Sequence, residues 1–248
     1  MNLESIVVYL DQSDLSRLAL ARAGTAEAAE RTRFETLAAR GRLRLRVSMV
    51  HLFESAPLSF RRLGTIVRFV SHLPHAVLAR APPGEILQSE RRGEPPDFRD
   101  LPLSDLGFRD WLVCAFGAAW ARPRAAAAAF ALNQTKMVMR ALGAQPVPSK
   151  KPPPSTWADA PAHALRAALA QNVERDVRRD ARRSDQFDAL HIVYGAHADL
   201  ATVDGHVLDA TKEVRRRLGD RIQWHRSGQV GKILDLVEAK GRLHSLSR

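Results

Sequence analysis

Apolar and polar positions divide the chain into short continuous runs and longer periodic stretches. Residues 5–10 (SIVVYL) form a nearly unbroken apolar and β-branched run closed by Asp11, the pattern of a strand buried on both faces of a sheet. Ser13 or Asp14 then offers a helix cap, and residues 25–40, rich in Ala, Glu, Arg and Leu, predict a helix stopped at Gly41. Residues 45–50 predict a second strand, with Glu54 just beyond its end. Strands separated by helical stretches need crossover connections and therefore a parallel sheet.

The middle of the chain has a different texture. From 57 to about 142 the pattern is mostly helical, with segments at 66–78, 108–120 and the Ala-rich 124–142, broken by a Pro/Gly/Arg stretch at 81–96. Trp111, Phe116 and Trp120 are expected to pack this region. Pro146, Pro148 and Pro152 to Pro154, with Lys150 and Lys151 between them, predict an extended linker over 146–154. Helix resumes over 158–183, where Arg175, Arg178, Arg179, Arg182 and Arg183 make the densest basic cluster in the chain. The last third alternates again: a helix from Ser184 or Asp185 to about 198, a strand at 200–203 ended by Asp204, a helix at 206–218, a strand at 222–225 and a helix at 230–240. The expected class is α/β, with a discontinuous core of 1–55 and 184–248 interrupted by a helical insertion over 56–183.

In an open parallel sheet, ligands bind outside the carboxyl ends of the strands. Asp11 and Asp204 each end a strand and belong at that edge, Glu54 follows the second strand closely, and Asp188 opens the helix before the 200–203 strand. Phe187, Ala189, Leu190, Ile192, Val193 and Tyr194 make that helix apolar almost all round, so a carboxylate within it needs a reason. Gathering acids in a partly dry cleft raises their pKa values unless a cation neutralises them. An oxygen-only donor set suits a hard ion, Mg²⁺ or Mn²⁺, and hence metal-assisted hydrolysis. Asp14, Asp185 and Asp199 read as caps, Asp209 as a contributor through water, and His191 as a hydrogen-bonded helix histidine.

Composition narrows the partners. The 248 residues are 45% hydrophobic and 26% charged, as in a globular protein, and 38 Lys plus Arg against 27 Asp plus Glu leave a net charge of +11. Such an excess favours polyanions, although an Arg- and Ala-rich composition alone also produces it. The lone Cys114 excludes an internal disulfide and fits a reducing compartment. No apolar run reaches the roughly 18 residues of a membrane span, and the amino terminus has no secretory pattern, so a cytoplasmic protein without membrane partners is expected. No glycine lies between Asp11 and Leu15, which argues against a dinucleotide-binding turn, and the two residues between Asp11 and Asp14 argue against an aspartyl-phosphate phosphatase.

Three segments, IVVYLDQSDLSRLA from Ile6, VSMVHLFES from Val47 and SDQFDALHIVYGAHADLATVD from Ser184, together resemble the PIN-domain nucleases. The resemblance implies a three-layer α/β sandwich with a short parallel sheet flanked by helices. It also implies a Mg²⁺ or Mn²⁺ site made by Asp11, Glu54, Asp188 and Asp204, which would serve as both metal-binding and catalytic residues in cutting RNA. Thr202 would be the neighbouring hydroxyl at the substrate, and Arg175, Arg178, Arg179 and Arg182 would hold phosphates. RNA is expected over DNA. The likeness covers about 110 residues at the two ends and leaves the insertion unexplained. Two alternatives stay open: a catalytically inactive nucleic-acid-binding or scaffolding protein, and a toxin held by an inhibitory protein partner. A homodimer fits any of these.

Overall fold

The computed structural model describes residues 5–55, 58, 60–103, 160–175 and 183–246. The first strand, β1 (Ile6–Tyr9), leads directly into α1 (Gln12–Ala19), and α2 (Ala26–Ala39) returns the chain to β2 (Leu43–Ser48). A short α3 (Met49–Ser55) carries Glu54, followed by α4 (Phe60–His72), β3 (Val77–Ala79), α5 (Pro83–Arg91) and β4 (Leu101–Pro102). The remaining elements are α6 (Pro161–Arg175), α7 (Arg183–Gly195), β5 (Leu200–Val203), α8 (Gly205–Leu218), β6 (Gln223–Arg226) and α9 (Val230–Leu246).

The strands form one sheet in the order β4-β3-β2-β1-β5-β6. Every pairing is parallel except β3 with β4, which makes the sheet mixed rather than wholly parallel. Alternation along the strands sorts side chains into two cores. Val8, Leu10, Leu43, Leu45 and Val47 face α1, α2, α4 and α9, whereas Tyr9, Ala201 and Val203 face α5, α6, α7 and α8. The protein is therefore a helix, sheet, helix sandwich.

The segment expected to be a helical insertion divides on inspection. Residues 60–103 contain β3 and β4, which extend the main sheet, and α4, whose Leu63, Ile66, Val67 and Val70 join the core over β2. Strands of three and two residues are too short to show a period, which is why 66–78 read as helix alone. The stretch at 81–96, expected as an interruption, holds α5, with Pro82 and Pro83 at its amino-terminal turn where proline is tolerated. The expected helices at 108–120 and 124–142, the aromatic residues Trp111, Phe116 and Trp120, and the linker at 146–154 lie outside the described residues. Among the described residues no helix is long and apolar enough to cross a membrane.

Candidate metal centre

The sheet order places a topological switch between β1 and β5: from β1 the chain first builds outward through β2 and β3, then returns on the other side through β5 and β6. Connections leave the carboxyl ends of β1 and β5 in opposite directions there, so a crevice opens between them. Asp11 follows β1 and Asp204 follows β5. A direct link fixes their relative height: the Asp11 backbone N–H donates to Thr202 Oγ1 at 2.8 Å. Thr202 is fully buried, and its hydroxyl accepts this bond and so positions the Asp11 backbone.

Asp11 caps α1. Its Oδ2 accepts from Ser13 N at 3.3 Å and Ser13 Oγ at 2.5 Å, with Ser227 Oγ at 3.4 Å. Asp204 occupies the same capping position before α8 but makes no side-chain cap bond, so its carboxylate remains uncommitted to the helix. Asp188 projects from the second turn of α7 and is buried. Its Oδ2 lies 3.0 Å from His206 Nε2, yet their approach lacks hydrogen-bond alignment, and this buried oxygen accepts no hydrogen bond among the described residues.

Asp188, Asp204 and His206 form the tight group: one potential donor atom from each lies within 4.8 Å of the other two. Asp11 and Glu54 stand outside that trio but within reach of its charges. Burial, then the charges of Asp204, Asp11 and Glu54, push the Asp188 carboxyl up to about 7, with His191 pulling the other way. Asp204 is exposed as a residue, yet water lost from around its carboxyl, then Asp11 and Glu54, raise it too, against His206 and His191. Of the four acids expected from separate segments, Asp188 and Asp204 come within ligand spacing of each other, and Asp11 and Glu54 lie near enough for their charges to act on both. The arrangement stores repulsion that a divalent cation would relieve, and the carboxylates with one imidazole fit such an ion chemically. Nothing in the sequence singles out His206, a lone histidine after Gly205. Its proximity to Asp188 joins the first turn of α8 to the second turn of α7, which no local pattern in the sequence records.

Glu54 is held from behind. Its Oε2 lies 2.7 Å from His191 Nε2, while His191 Nδ1 lies 2.7 Å from the Tyr9 hydroxyl, itself 2.9 Å from Ser48 Oγ. Burial alone would lower the His191 pKa, but the Glu54 bond and the charges of Glu54, Asp11 and Asp188 outweigh it and raise the pKa. His191 is thus the hydrogen-bonded helix histidine expected from its context. Beyond Ser48 the chain of bonds ends at His51, whose Nδ1 accepts from Ser48 N at 3.1 Å. Since a backbone N–H can only donate, the His51 proton sits on Nε2 and goes to the Leu10 carbonyl at 2.7 Å. Burial keeps this ring neutral and pulls its pKa down to about 3.

Other expected residues fall as follows. Asp14 is buried and accepts from Gly228 N, and Asp199 accepts from Val7 N, so both tie strand ends and loops together. Asp209 is exposed, 3.9 Å from Arg226. Arg175 ends α6, while Arg178, Arg179 and Arg182 lie outside the described residues, as does the side chain of Asp185. A different cation stands at the crevice: the Arg226 guanidinium lies across Gly205, where a Cβ would come within 3.1 Å of its Cζ. Glycine at 205 therefore permits the arginine to lie over the first turn of α8, where it also approaches Asp209. A separate cavity of about 580 Å³ between α2 and α4, lined by residues including Arg31, Phe69 and His72, contains none of these groups. Comparison of the chain with protein-family models, curated proteins and solved structures returned no match.

Proposed function

We propose that the protein is a Mg²⁺- or Mn²⁺-dependent, PIN-like ribonuclease. The observation that supports this reading best is the electrostatic proximity of Asp11, Glu54, Asp188 and Asp204, which come from separate segments, with Asp188 buried and one of its oxygens accepting no hydrogen bond among the described residues. Asp188 and Asp204 would hold the ion. Asp11, fixed through Ser13 and Thr202, and Glu54, fixed through His191, would complete its oxygen surroundings. A bound divalent ion supplies an attacking water of lowered pKa and neutralises charge on the phosphate. Arg226, which lies over Gly205 at the start of α8, would hold a phosphate without reading a base. The net charge of +11 favours a polyanionic substrate over a small neutral one.

The test uses RNA and DNA oligonucleotides with Mn²⁺, Mg²⁺ or EDTA, alongside an Asp11→Asn, Asp188→Asn variant. RNA should be cut with Mn²⁺ and left intact in EDTA, and the variant should lose at least about 100-fold in rate, the loss of several kcal/mol of transition-state stabilisation. Equal cleavage by the variant would refute the reading. RNA binding without ion-dependent cleavage would favour the non-catalytic alternative.

A further inference from the structure

We propose that His206 is itself a ligand of the divalent ion, making the centre a mixed nitrogen and oxygen site that selects Mn²⁺ over Mg²⁺. The inference rests on reading the acidic cluster as a metal centre and goes beyond the four-carboxylate site. His206 Nε2 is 3.0 Å from Asp188 Oδ2, and an Asp204 carboxylate oxygen completes a triangle with no side longer than 4.8 Å. Donors bound to one ion at about 2.1 Å lie about 3 Å apart when they subtend a right angle, so the His206 and Asp188 atoms already have the spacing of neighbouring ligands. At this distance the two atoms lack hydrogen-bond alignment, and among the described residues Asp188 Oδ2 accepts no hydrogen bond. A buried carboxylate oxygen without a donor is costly, and an ion between the two groups would satisfy it.

The local chain explains how the imidazole reaches the site. Asp204 starts α8 without spending its side chain on the cap, and His206 follows two residues later, so both project from one helix end toward Asp188 on α7. His206 is half-buried, as a ligand at the edge of such a centre would be. Imidazole nitrogen favours later first-row ions, whereas Mg²⁺ prefers an all-oxygen shell and keeps several waters.

The experiment loads the intact protein with Mn²⁺ and records pulsed electron paramagnetic resonance for nitrogen coupling. Mn²⁺ and Mg²⁺ affinities are measured by calorimetry in parallel, for the parent protein and for His206→Ala and His206→Asp. Nitrogen coupling should appear in the parent and vanish in His206→Ala, where His191 is retained. His206→Ala should lose at least about tenfold in Mn²⁺ affinity and much less for Mg²⁺, and His206→Asp should restore binding with the preference shifted toward Mg²⁺. Mn²⁺ bound by the parent without nitrogen coupling would overturn the inference and leave the metal centre standing. Failure of the parent to bind either ion would overturn both.

Discussion

Asp188 concentrates the electrostatic tension of the molecule. Its folded pKa of about 7 stands well above the ordinary 3.8, so the folded protein keeps a proton that the unfolded chain has already released across that interval. Stability therefore falls as pH rises from about 4, and the loss is complete above 7, with a limit of about 4 kcal/mol. Asp188→Asn removes this penalty. In EDTA its advantage in unfolding free energy should grow from near zero at pH 4 to about 2–4 kcal/mol at pH 8, by chemical denaturation. A difference that does not vary with pH would rule out the assigned cause. Comparing variant with parent cancels His51, whose depressed pKa makes stability rise with pH between about 3 and 6.5. At this scale the sequence was informative about acids and silent about their supports. An Asp at a strand end or in an apolar helix stands out locally, but the grip of His191 on Glu54 and the approach of His206 to Asp188 join residues from different elements, which no local pattern records.

Among the elements, α6 shows how chain outside the β1-to-β5 centre is anchored to it. Glu90 on α5 is almost fully buried, and its two oxygens accept from Ala162 N at 2.9 Å and His163 N at 3.1 Å, the first free amides of α6. An anion at a helix amino terminus is favourable, and His197 Nε2, 2.7 Å from Oε1, adds a further positive partner when protonated. Glu90→Ala would strand two buried amides, at a cost of about 2–5 kcal/mol. Hydrogen exchange over 161–175 should then accelerate ahead of that over β1 and β5, and unchanged protection there would show that α6 is held by other contacts. Glu90 in a charged stretch looks like a solvated residue, and only the packing of α5 against α6 reveals its task. Arg46 is similar. Centred in β2, it is buried beneath a stack on Phe98 and paired with Asp100 at 3.0 Å, which binds the short antiparallel β4 to the sheet. α8 was readable because burial of Val207, Thr211, Val214 and Leu218 imposes a period along its 14 residues, whereas β3 and β4 depend on neighbours to exist.

For the whole molecule, the sign of the charge contrasts with that of the site: the chain carries a net +11, whereas the residues after β1 and β5 include Asp11 and Asp204. Arg226 lies over Gly205 and is next in sequence to Ser227, which reaches Asp11. RNA affinity should fall steeply with salt, and Arg226→Ala should reduce the slope of log affinity against log salt by about one while leaving Mn²⁺ affinity unchanged. An unaltered slope would remove Arg226 from the phosphate contacts. The overall α/β class and the edge holding the acids follow from strand-ending aspartates and crossover lengths. The mixed sheet does not, because the antiparallel β4 adds only two residues to it. The bond from Asp11 N to Thr202 Oγ1 spans 191 positions of the chain, and β5 is the strand that sets Asp204 beside Asp11. A chain cut back to end before β5 would thus keep Asp11 and Glu54 with no Asp204 beside them. Any ion-dependent cleavage should be lost in such a shortened chain, because one proposed ligand arrives only with β5.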